Sequence, residues 1–167
     1  AWFDRSGRPS GTVGQPDEND LLGPELSPDG RRVAVARSIR NARNVWLLDV
    51  ERGGPRPFTD DPSSAQNPRW SPDGSRIAFQ AVGDRPGLYA WPLTAAGSKQ
   101  LLVPGVAVPN DWSPDSRVLV YTTTDPKTRG DIWTVPLAGD SKPAPFAVGN
   151  YDESSAQFSP DGRWIAY

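Results

Sequence analysis

The stretch Arg69-Trp70-Ser71-Pro72-Asp73-Gly74, which precedes the apolar run Ile77-Ala78-Phe79, decides the fold because the chain repeats it. Its four copies are Glu25-Leu26-Ser27-Pro28-Asp29-Gly30, Arg69-Trp70-Ser71-Pro72-Asp73-Gly74, Asp111-Trp112-Ser113-Pro114-Asp115-Ser116 and Gln157-Phe158-Ser159-Pro160-Asp161-Gly162. Successive motif aspartates are 44, 42 and 46 residues apart. A regular period of this length indicates a repeat architecture.

Each motif has the composition of a tight turn between two strands. Proline presets the first turn position, the serine and aspartate side chains can bond nearby backbone N–H groups, and glycine accepts a left-handed conformation. We therefore expect Asp29, Asp73, Asp115 and Asp161 to be structural turn residues. Ser116 stands where the other copies have glycine. If the left-handed geometry is kept there, replacement of Ser116 by glycine should raise stability.

Two further strands are predicted in each period. The third strands are Asn44-Val45-Trp46-Leu47-Leu48-Asp49, Leu88-Tyr89-Ala90-Trp91-Pro92-Leu93 and Asp131-Ile132-Trp133-Thr134-Val135-Pro136-Leu137. Glycine-bearing turns, the second of them at Ala96-Gly97, lead to the fourth strands Arg56-Pro57-Phe58-Thr59, Gln100-Leu101-Leu102-Val103 and Ala144-Pro145-Phe146-Ala147. Four antiparallel strands in every period of 40 to 45 residues are typical of an all-β fold, the β-propeller.

The predicted blades use the chain as follows, with strands labelled A to D. Whole blades are expected at 22–60, 66–104 and 107–148, while 1–14 supplies strands C and D, and 153–167 supplies strands A and B. Within 1–14, Trp2 to Gly7 is the expected strand C and Gly11-Thr12-Val13 the expected strand D. Residues 1–167 thus form one propeller or half-propeller domain. The two halves could close a four-bladed monomer, or two chains could exchange them in an eight-bladed ring. We favour the eight-bladed dimer because four blades crowd the axis. An excised part of a larger propeller would show the same sequence pattern.

Composition excludes several function classes. Proline and glycine, at 19 and 16 residues, disfavour long helices. Because the chain has no His and no Cys, it cannot build a Ser-His-Asp or Cys-His triad, a histidine zinc site or a disulfide. A net charge of −2 provides no basic footprint for nucleic acid. No membrane span or secretory signal is expected. The absence of Met and the start at Ala1 suggest a processed or excised segment.

The aromatic-Ser-Pro-Asp-Gly motif, with its apolar strand and the later Val45-Trp46 or Ile132-Trp133 strand, resembles the WD-like repeat of TolB-type propellers. Similar repeats occur in prolyl oligopeptidase and dipeptidyl peptidase propellers. The run Trp2-Phe3-Asp4-Arg5-Ser6-Gly7 looks most like C-terminal regions of bacterial membrane serine/threonine kinases. The resemblance implies a periplasmic or extracellular domain, and TolB-type rings are typically six-bladed, whereas this chain has four repeats.

Charged loops suggest one functional face. The D-to-A loops carry Asp17, Glu18, Asp20, Asp60, Asp61, Asp152 and Glu153, and the B-to-C loops carry Arg40, Arg43, Arg85, Lys127 and Arg129. Four residues, each two positions before a motif serine, are expected to converge near the axis: Glu25, Arg69, Asp111 and Gln157. The candidate ligand-binding residues are Glu25, Arg69, Asp111, Gln157, Arg43, Arg85 and Arg129. The alternative is that these charges are merely solvated.

The leading functional hypothesis is a non-catalytic interaction module that binds a protein, a second copy or a small ligand on this face. The alternative is a carbohydrate-binding or glycoside-cleaving propeller that uses Glu25 and Asp111. No Gly-x-Ser-x-Gly elbow, kinase motif or Asp-x-Asp-x-Asp-Gly calcium loop occurs, so we predict no enzyme activity, no cofactor and no metal. Neither nucleic-acid binding nor membrane insertion is expected. Trp70, Trp112 and Phe158 are expected to pack between blades.

Overall fold

The computed structural model describes residues 1–15, 17–40, 42–60, 64–94 and 97–167. Asp61 and Ala96, named above, lie outside them. The described residues form these strands: β1 (Trp2–Phe3), β2 (Pro9–Gly11), β3 (Leu21–Leu26), β4 (Arg32–Ile39), β5 (Ala42–Asp49), β6 (Pro55–Pro57), β7 (Ser64–Trp70), β8 (Arg76–Val82), β9 (Gly87–Pro92), β10 (Gln100–Pro104), β11 (Ala107–Trp112), β12 (Val118–Asp125), β13 (Arg129–Pro136), β14 (Ala144–Ala147), β15 (Gln157–Phe158) and β16 (Ile165–Ala166).

The strands form three four-stranded sheets and two two-stranded sheets, and every pairing is antiparallel. Blade I contains β3 to β6, blade II β7 to β10 and blade III β11 to β14, each in chain order. The N-terminal half blade is β1 with β2, and the C-terminal half blade is β15 with β16. The predicted all-β propeller fold is confirmed, with three whole four-stranded blades and a two-stranded half blade at each end of the chain.

Strand A of each whole blade contains a register shift just before the motif. The shifts lie between Leu22 and Glu25 in blade I, between Gln66 and Arg69 in blade II, and at Pro109 in blade III. In blades I and II the bulged residue has a positive φ, 58° at Gly23 and 53° at Asn67. A bulge bends the strand and re-aims the following side chain. It therefore sets the direction of the charged residue that precedes each motif.

The cores lie between neighbouring blades. Ala34 and Val45 of blade I pack with Trp70, Ile77 and Phe79 of blade II. The next core joins blades II and III, and is made of Ala78, Leu88, Ala90, Leu102, Val103, Ala107, Trp112, Leu119, Tyr121 and Val135. A third, smaller core joins blade III to Phe158 and Ile165 of the C-terminal half blade. Both faces of a blade are thus buried, which explains the nearly continuous apolar runs in strands B and C.

The half blades differ from expectation in two details. Strand D of the N-terminal half is Pro9–Gly11 rather than Gly11-Thr12-Val13, because a tight turn at Asp4 brings Pro9 directly opposite Phe3. Within the described residues β16 pairs only with β15, and β1 only with β2. The chain therefore does not join its own half blades into one sheet. No helix in this part of the chain has the length and apolar character needed to cross a membrane.

Candidate functional site

The four motif turns share one hydrogen-bond pattern. In each, the serine Oγ donates to the aspartate Oδ1 at 2.6 Å and accepts the backbone N–H five residues after the serine, for example Arg76 at 3.1 Å from Ser71. The serine hydroxyl lowers the pKa of the carboxyls of Asp29, Asp115 and Asp161. The aspartates are therefore held as turn-stabilising carboxylates at the end of the blades that we call the turn face.

Tryptophan indoles connect the blades at the inner strands. Trp70 Nε1 of blade II donates to the carbonyl of Glu25 in blade I at 3.2 Å. Trp112 Nε1 of blade III repeats this contact on the carbonyl of Arg69 at 3.1 Å. Both indoles are almost fully buried. The tryptophan of each of these motifs thus packs against the preceding blade and also donates a hydrogen bond to it.

Glu25 and Arg69, two of the predicted axial residues, meet at the first of these junctions. Glu25 Oε2 lies 2.9 Å from Nη1 of Arg69, and Glu25 Oε1 accepts the N–H of Trp70 at 3.4 Å. Arg69 extends further and donates from Nε to the carbonyl of Asn110 at 2.7 Å. Burial raises the pKa of the Glu25 carboxyl. The positive charge of Arg69 lowers this pKa in part, and the negative charge of Asp111 raises it further. These two side chains therefore connect three blades.

The other two predicted axial residues lie at later junctions. Asp111 accepts the N–H of Trp112 on Oδ1 and the N–H of Phe158 on Oδ2, both at 2.8 Å. It therefore joins blade III to the C-terminal half blade as Glu25 joins blade I to blade II. Gln157, the fourth member, is exposed on β15. The structure thus brings Glu25, Arg69 and Asp111 into one polar row, with blade-to-blade partners for each.

The described parts of the D-to-A and B-to-C loops lie at the end of the blades opposite the motif turns, which we call the loop face. The N–H of Ser38 donates to the carbonyl of Asp20 at 3.1 Å, joining the loop before β3 to the end of β4. In blade III, Gly130 donates to Asp152 Oδ1 at 3.0 Å and accepts from the N–H of Glu153 at 2.9 Å. Hydrogen bonds therefore join described parts of the two sets of loops in blades I and III.

A polar cleft of about 660 Å³ opens on the loop face between blades I and II. Arg43 lies in its wall, where Nε donates to Ser38 Oγ at 3.2 Å and Nη1 donates to Gln66 Oε1 at 2.8 Å. Arg40 shares the wall, and the acidic residues Glu18 and Asp20 face the same space. The cleft therefore combines a fixed guanidinium with groups of opposite charge.

The Gln66 amide that holds Arg43 is itself held. Its Nε2 donates to Gln80 Oε1 at 2.9 Å, and Asn67 Nδ2 donates to the same oxygen at 3.1 Å. Gln80 is buried in β8 among apolar neighbours. A glutamine inside the run Ile77 to Val82 was a sequence signal for this network, but none of these amides was among the predicted site residues.

Asp17 of the first D-to-A loop is tied to blade I. Its Oδ2 lies 2.6 Å from Nε of Arg37, whose guanidinium stacks 4.7 Å from the ring centre of Trp46. The Asn19 side-chain amide and then Arg37 lower the pKa of Asp17 to about 2. This contact fixes the segment that connects the N-terminal half blade to blade I.

The remaining predicted residues are more dispersed. Arg85 and Lys127 have exposed side chains on the B-to-C loops of blades II and III, and Arg129, the first residue of β13, is exposed as well. Neither Arg85 nor Arg129 lines the cleft that holds Arg43. Within the described ranges, no group of three or more Asp and Glu side chains has an arrangement that could hold a metal ion.

The repeated four-stranded blade and its Ser-Pro-Asp turn match a known family. The sequence profile of the TolB beta propeller domain matches residues 4–167. The chain belongs to this family. The crystal structure of TolB from Acinetobacter baumannii superposes with a TM-score of 0.82 over 98% of the chain and 41% of that protein, at 20% identity. This likeness establishes the fold of the TolB-type domain.

Sequence relatives of the domain have different names. An uncharacterized peptidase, YuxL, of Bacillus subtilis (strain 168) is 33% identical over 111 residues, which are 60% of the chain and 17% of that protein. The Tol-Pal system protein TolB of Anaeromyxobacter dehalogenans (strain 2CP-C) is 32% identical over 69 residues, 41% of the chain and 15% of that protein. The domain thus spans less than a fifth of either relative.

Proposed function

We propose that this TolB-type domain is a non-catalytic binding module whose ligand, a protein segment or small molecule, docks on the loop face at the cleft between blades I and II. The observation that carries the proposal is the fixing of Arg43 by Ser38 and Gln66. A guanidinium held before binding loses little rotamer freedom when a ligand arrives. Loops on a rigid scaffold are also where binding residues concentrate.

The charges of the cleft support a peptidic ligand. Arg40 and Arg43 offer donors to a carboxylate or a carbonyl, and Glu18 and Asp20 offer acceptors to an amine. Exposed Arg85 and Arg129 would extend contacts along the same face, whereas Glu25, Arg69 and Asp111 would support the inner strands beneath. A peptide that presents both kinds of group would satisfy the cleft.

The contacts at the inner strands argue against glycoside cleavage. Glu25 accepts from Arg69 and Trp70, and both oxygens of Asp111 accept backbone N–H groups. A general acid and a nucleophile need carboxyl oxygens directed at the substrate. A peptidase that uses a Ser-His-Asp or Cys-His triad would need its histidine from outside this chain, which has none.

Selection of a displayed random-peptide library on the purified domain tests the proposal. We expect enriched peptides to lose at least about tenfold in affinity on Arg43→Ala, in line with the loss of a charged hydrogen-bonding anchor. Arg117→Ala, an exposed arginine on the turn face, is the matched control and should bind as the parent does. Equal binding by all three proteins would refute the cleft at Arg43 as the docking site, and failure to enrich any peptide would refute a peptidic ligand.

Two measurements address catalysis and location. Calorimetry against a panel of oligosaccharides, followed by mass spectrometry of the incubated sugars and enriched peptides, should give neither carbohydrate binding nor cleavage.

By its similarity to the Tol-Pal system protein TolB, we also propose that the domain acts outside the cytoplasm. Antibody detection in the cytoplasmic and extracytoplasmic fractions of the source cells tests this location.

A further inference from the structure

A pocket of about 390 Å³ opens at the turn-face end of blade I, on the side that faces blade II. Both blades that border it are whole. Three arginines line it with one carboxylate and an apolar wall: Arg32, Arg52, Arg56, Asp49, Leu47 and Pro57. None of these residues lines the cleft that holds Arg43. In a chain of net charge −2, this pocket is a local concentration of positive charge.

The strand register puts four of these side chains on one side of the sheet. Arg32 lies opposite Asp49 on the neighbouring strand, and Leu47 lies opposite Arg56. Paired residues of antiparallel strands, and residues two apart on one strand, project to the same side. The guanidinium of Arg32 stacks 5.2 Å from the ring centre of Trp70 in blade II, which identifies this side as the one that faces blade II. The stacking also fixes the first arginine of the pocket.

The third arginine, Arg52, stands on a turn that hydrogen bonds close. Asp49 Oδ1 accepts the N–H groups of Glu51 at 3.0 Å and of Arg52 at 2.8 Å, and the Asp49 carbonyl accepts the N–H of Gly53 at 2.8 Å. The N–H of Arg52 lowers the pKa of the Asp49 carboxyl, and the charges of Arg52 and Arg56 lower it further. The carboxylate therefore holds the turn, and the lining residues keep two positive charges in excess.

The combination of three arginines is specific to blade I. At the place of Arg56, the same strand pairing gives Gln100 in blade II and Ala144 in blade III. At the place of Arg32, blade III has Val118. Residues that the propeller needs for its packing recur from blade to blade, as the motif turns do. The charges of this pocket therefore do not belong to the packing that the repeat shares.

Two of the arginines also lack a neutralising partner. Within the described part of the chain, no carboxylate oxygen lies within 4 Å of a guanidinium nitrogen of Arg52 or Arg56. In the corresponding turn of blade III, by contrast, Lys142 is paired with Asp140 at 3.1 Å. Guanidinium groups bind oxyanions through paired N–H donors. Those of Arg52 and Arg56 are therefore available to an anion from solution.

We propose that this pocket binds the phosphomonoester group of a small soluble molecule. Such a group carries a charge of about −1.5 to −2 at pH 7. It therefore matches the two positive charges in excess, whereas a carboxylate would leave one of them unbalanced. Leu47 and Pro57 offer an apolar wall to the organic part of the ester. The volume of the pocket is also that of a small-molecule site. This site lies at the opposite end of the blades from the loop-face cleft and does not depend on it.

NMR titration of the ¹⁵N-labelled domain with phenyl phosphate at low ionic strength is the first test, because salt screens exposed charges. We expect saturable shifts at residues 47–57 and a Kd at least about tenfold higher in Arg56→Gln, which introduces the residue of blade II. Arg117→Gln removes an exposed charge from the turn face of blade III and is the matched control. No saturable binding at this turn, or equal affinity of the parent and both variants, would overturn the proposal.

Two further probes test the class of ligand. Methyl phenyl phosphate keeps the ring and the phosphorus but has a single negative charge, so we expect it to bind about fivefold more weakly. Equal affinity for this diester would overturn the match to two charges. Vesicles of phosphatidylcholine and phosphatidic acid, sedimented with the protein, test a lipid headgroup as the source of the phosphoryl group. Arginine-dependent binding to vesicles without binding of phenyl phosphate would overturn the soluble ester. Circular dichroism of each variant ensures that lost binding does not reflect unfolding.

Discussion

The hydroxyl of Ser116 accepts a hydrogen bond from the backbone N–H of Asp73, 3.2 Å away on the neighbouring blade. Ser116 has φ of 59°, close to the values of 67° to 70° at Gly30, Gly74 and Gly162. The third motif therefore keeps the left-handed turn without its glycine, and it adds one contact between turns. Backbone strain and the extra hydrogen bond oppose each other at this residue.

Replacement of Ser116 by glycine should raise the free energy of unfolding by about 0.5 to 1 kcal/mol, because the strain is relieved and water can replace the hydroxyl at the exposed Asp73 amide. Ser116→Ala keeps the strain and loses the bond, so it should be less stable than the parent. Urea titration of the three proteins gives the comparison. A glycine variant no more stable than the alanine variant would contradict the strain argument.

Removal of the Trp112 indole bond should loosen the junction between blades II and III. Trp112→Phe deletes the donor to the Arg69 carbonyl, and we expect a loss of about 1 to 2 kcal/mol from the missing bond and the smaller ring. Trp133→Phe is the matched control, since Trp133 Nε1 is buried with no hydrogen-bond partner among the described residues. Equal losses for the two variants in thermal unfolding would show that the indole bond contributes nothing.

A threonine at position 147 should stabilise blade III. In blade I, Thr59 donates to Asn44 Oδ1 and accepts the N–H of Val45. Blade III has Asp131 and Ala147 at these places, and Asp131 is buried with Oδ1 unpartnered in the described structure. Ala147→Thr supplies the missing donor. The free energy of unfolding of this variant should therefore be about 1 kcal/mol higher than that of the isosteric Ala147→Val. The difference should vanish in an Asp131→Ala background.

The sequence predicted the regular part of this structure well. Serine, proline and aspartate in one turn act over a few residues, so their bonds follow from local chemistry, as at Ser71 and Asp73. The period then places every blade relative to its neighbours. Strand D of the first half blade was misplaced because Thr12 and Val13 favour strand conformation locally, whereas the tight turn at Asp4 sets the observed pairing.

The candidate site was less accessible to sequence reasoning. Glu25 and Arg69 occupy the same position of the repeat, yet one accepts from the next blade and the other donates to it. Only the packed bulges decide whether such a side chain points to the axis or along the blade junction. The hydrogen bond from Arg43 to Gln66 joins residues of two blades, and no local sequence pattern predicts that these two side chains meet.

Acid should destabilise the domain through Asp17. Because its pKa in the folded state is lowered to about 2, its ionised form contributes stability above the unfolded value near 4, and this contribution is lost as pH falls toward 2. We expect a melting temperature that is steady from about pH 7 to 5 and falls below pH 4. Asp17→Asn should be less stable at pH 7 and fall less steeply. Parallel curves for both proteins would refute this assignment.

Gly130 tests the architecture of the loop face. A methyl group built on Gly130 would lie 2.5 Å from Asp152 Oδ1 and 2.6 Å from the carbonyl oxygen of Glu153. Since backbone must move to admit it, Gly130→Ala should cost about 1 to 3 kcal/mol and expose the amides of the Asp152 loop to hydrogen exchange. Gly54→Ala is the control, because its φ is not positive and no atom lies within 4 Å of the added carbon. If the amides of residue 130 and Glu153 exchange at the same rate in both variants, then the bonds between these loops do not hold the face together.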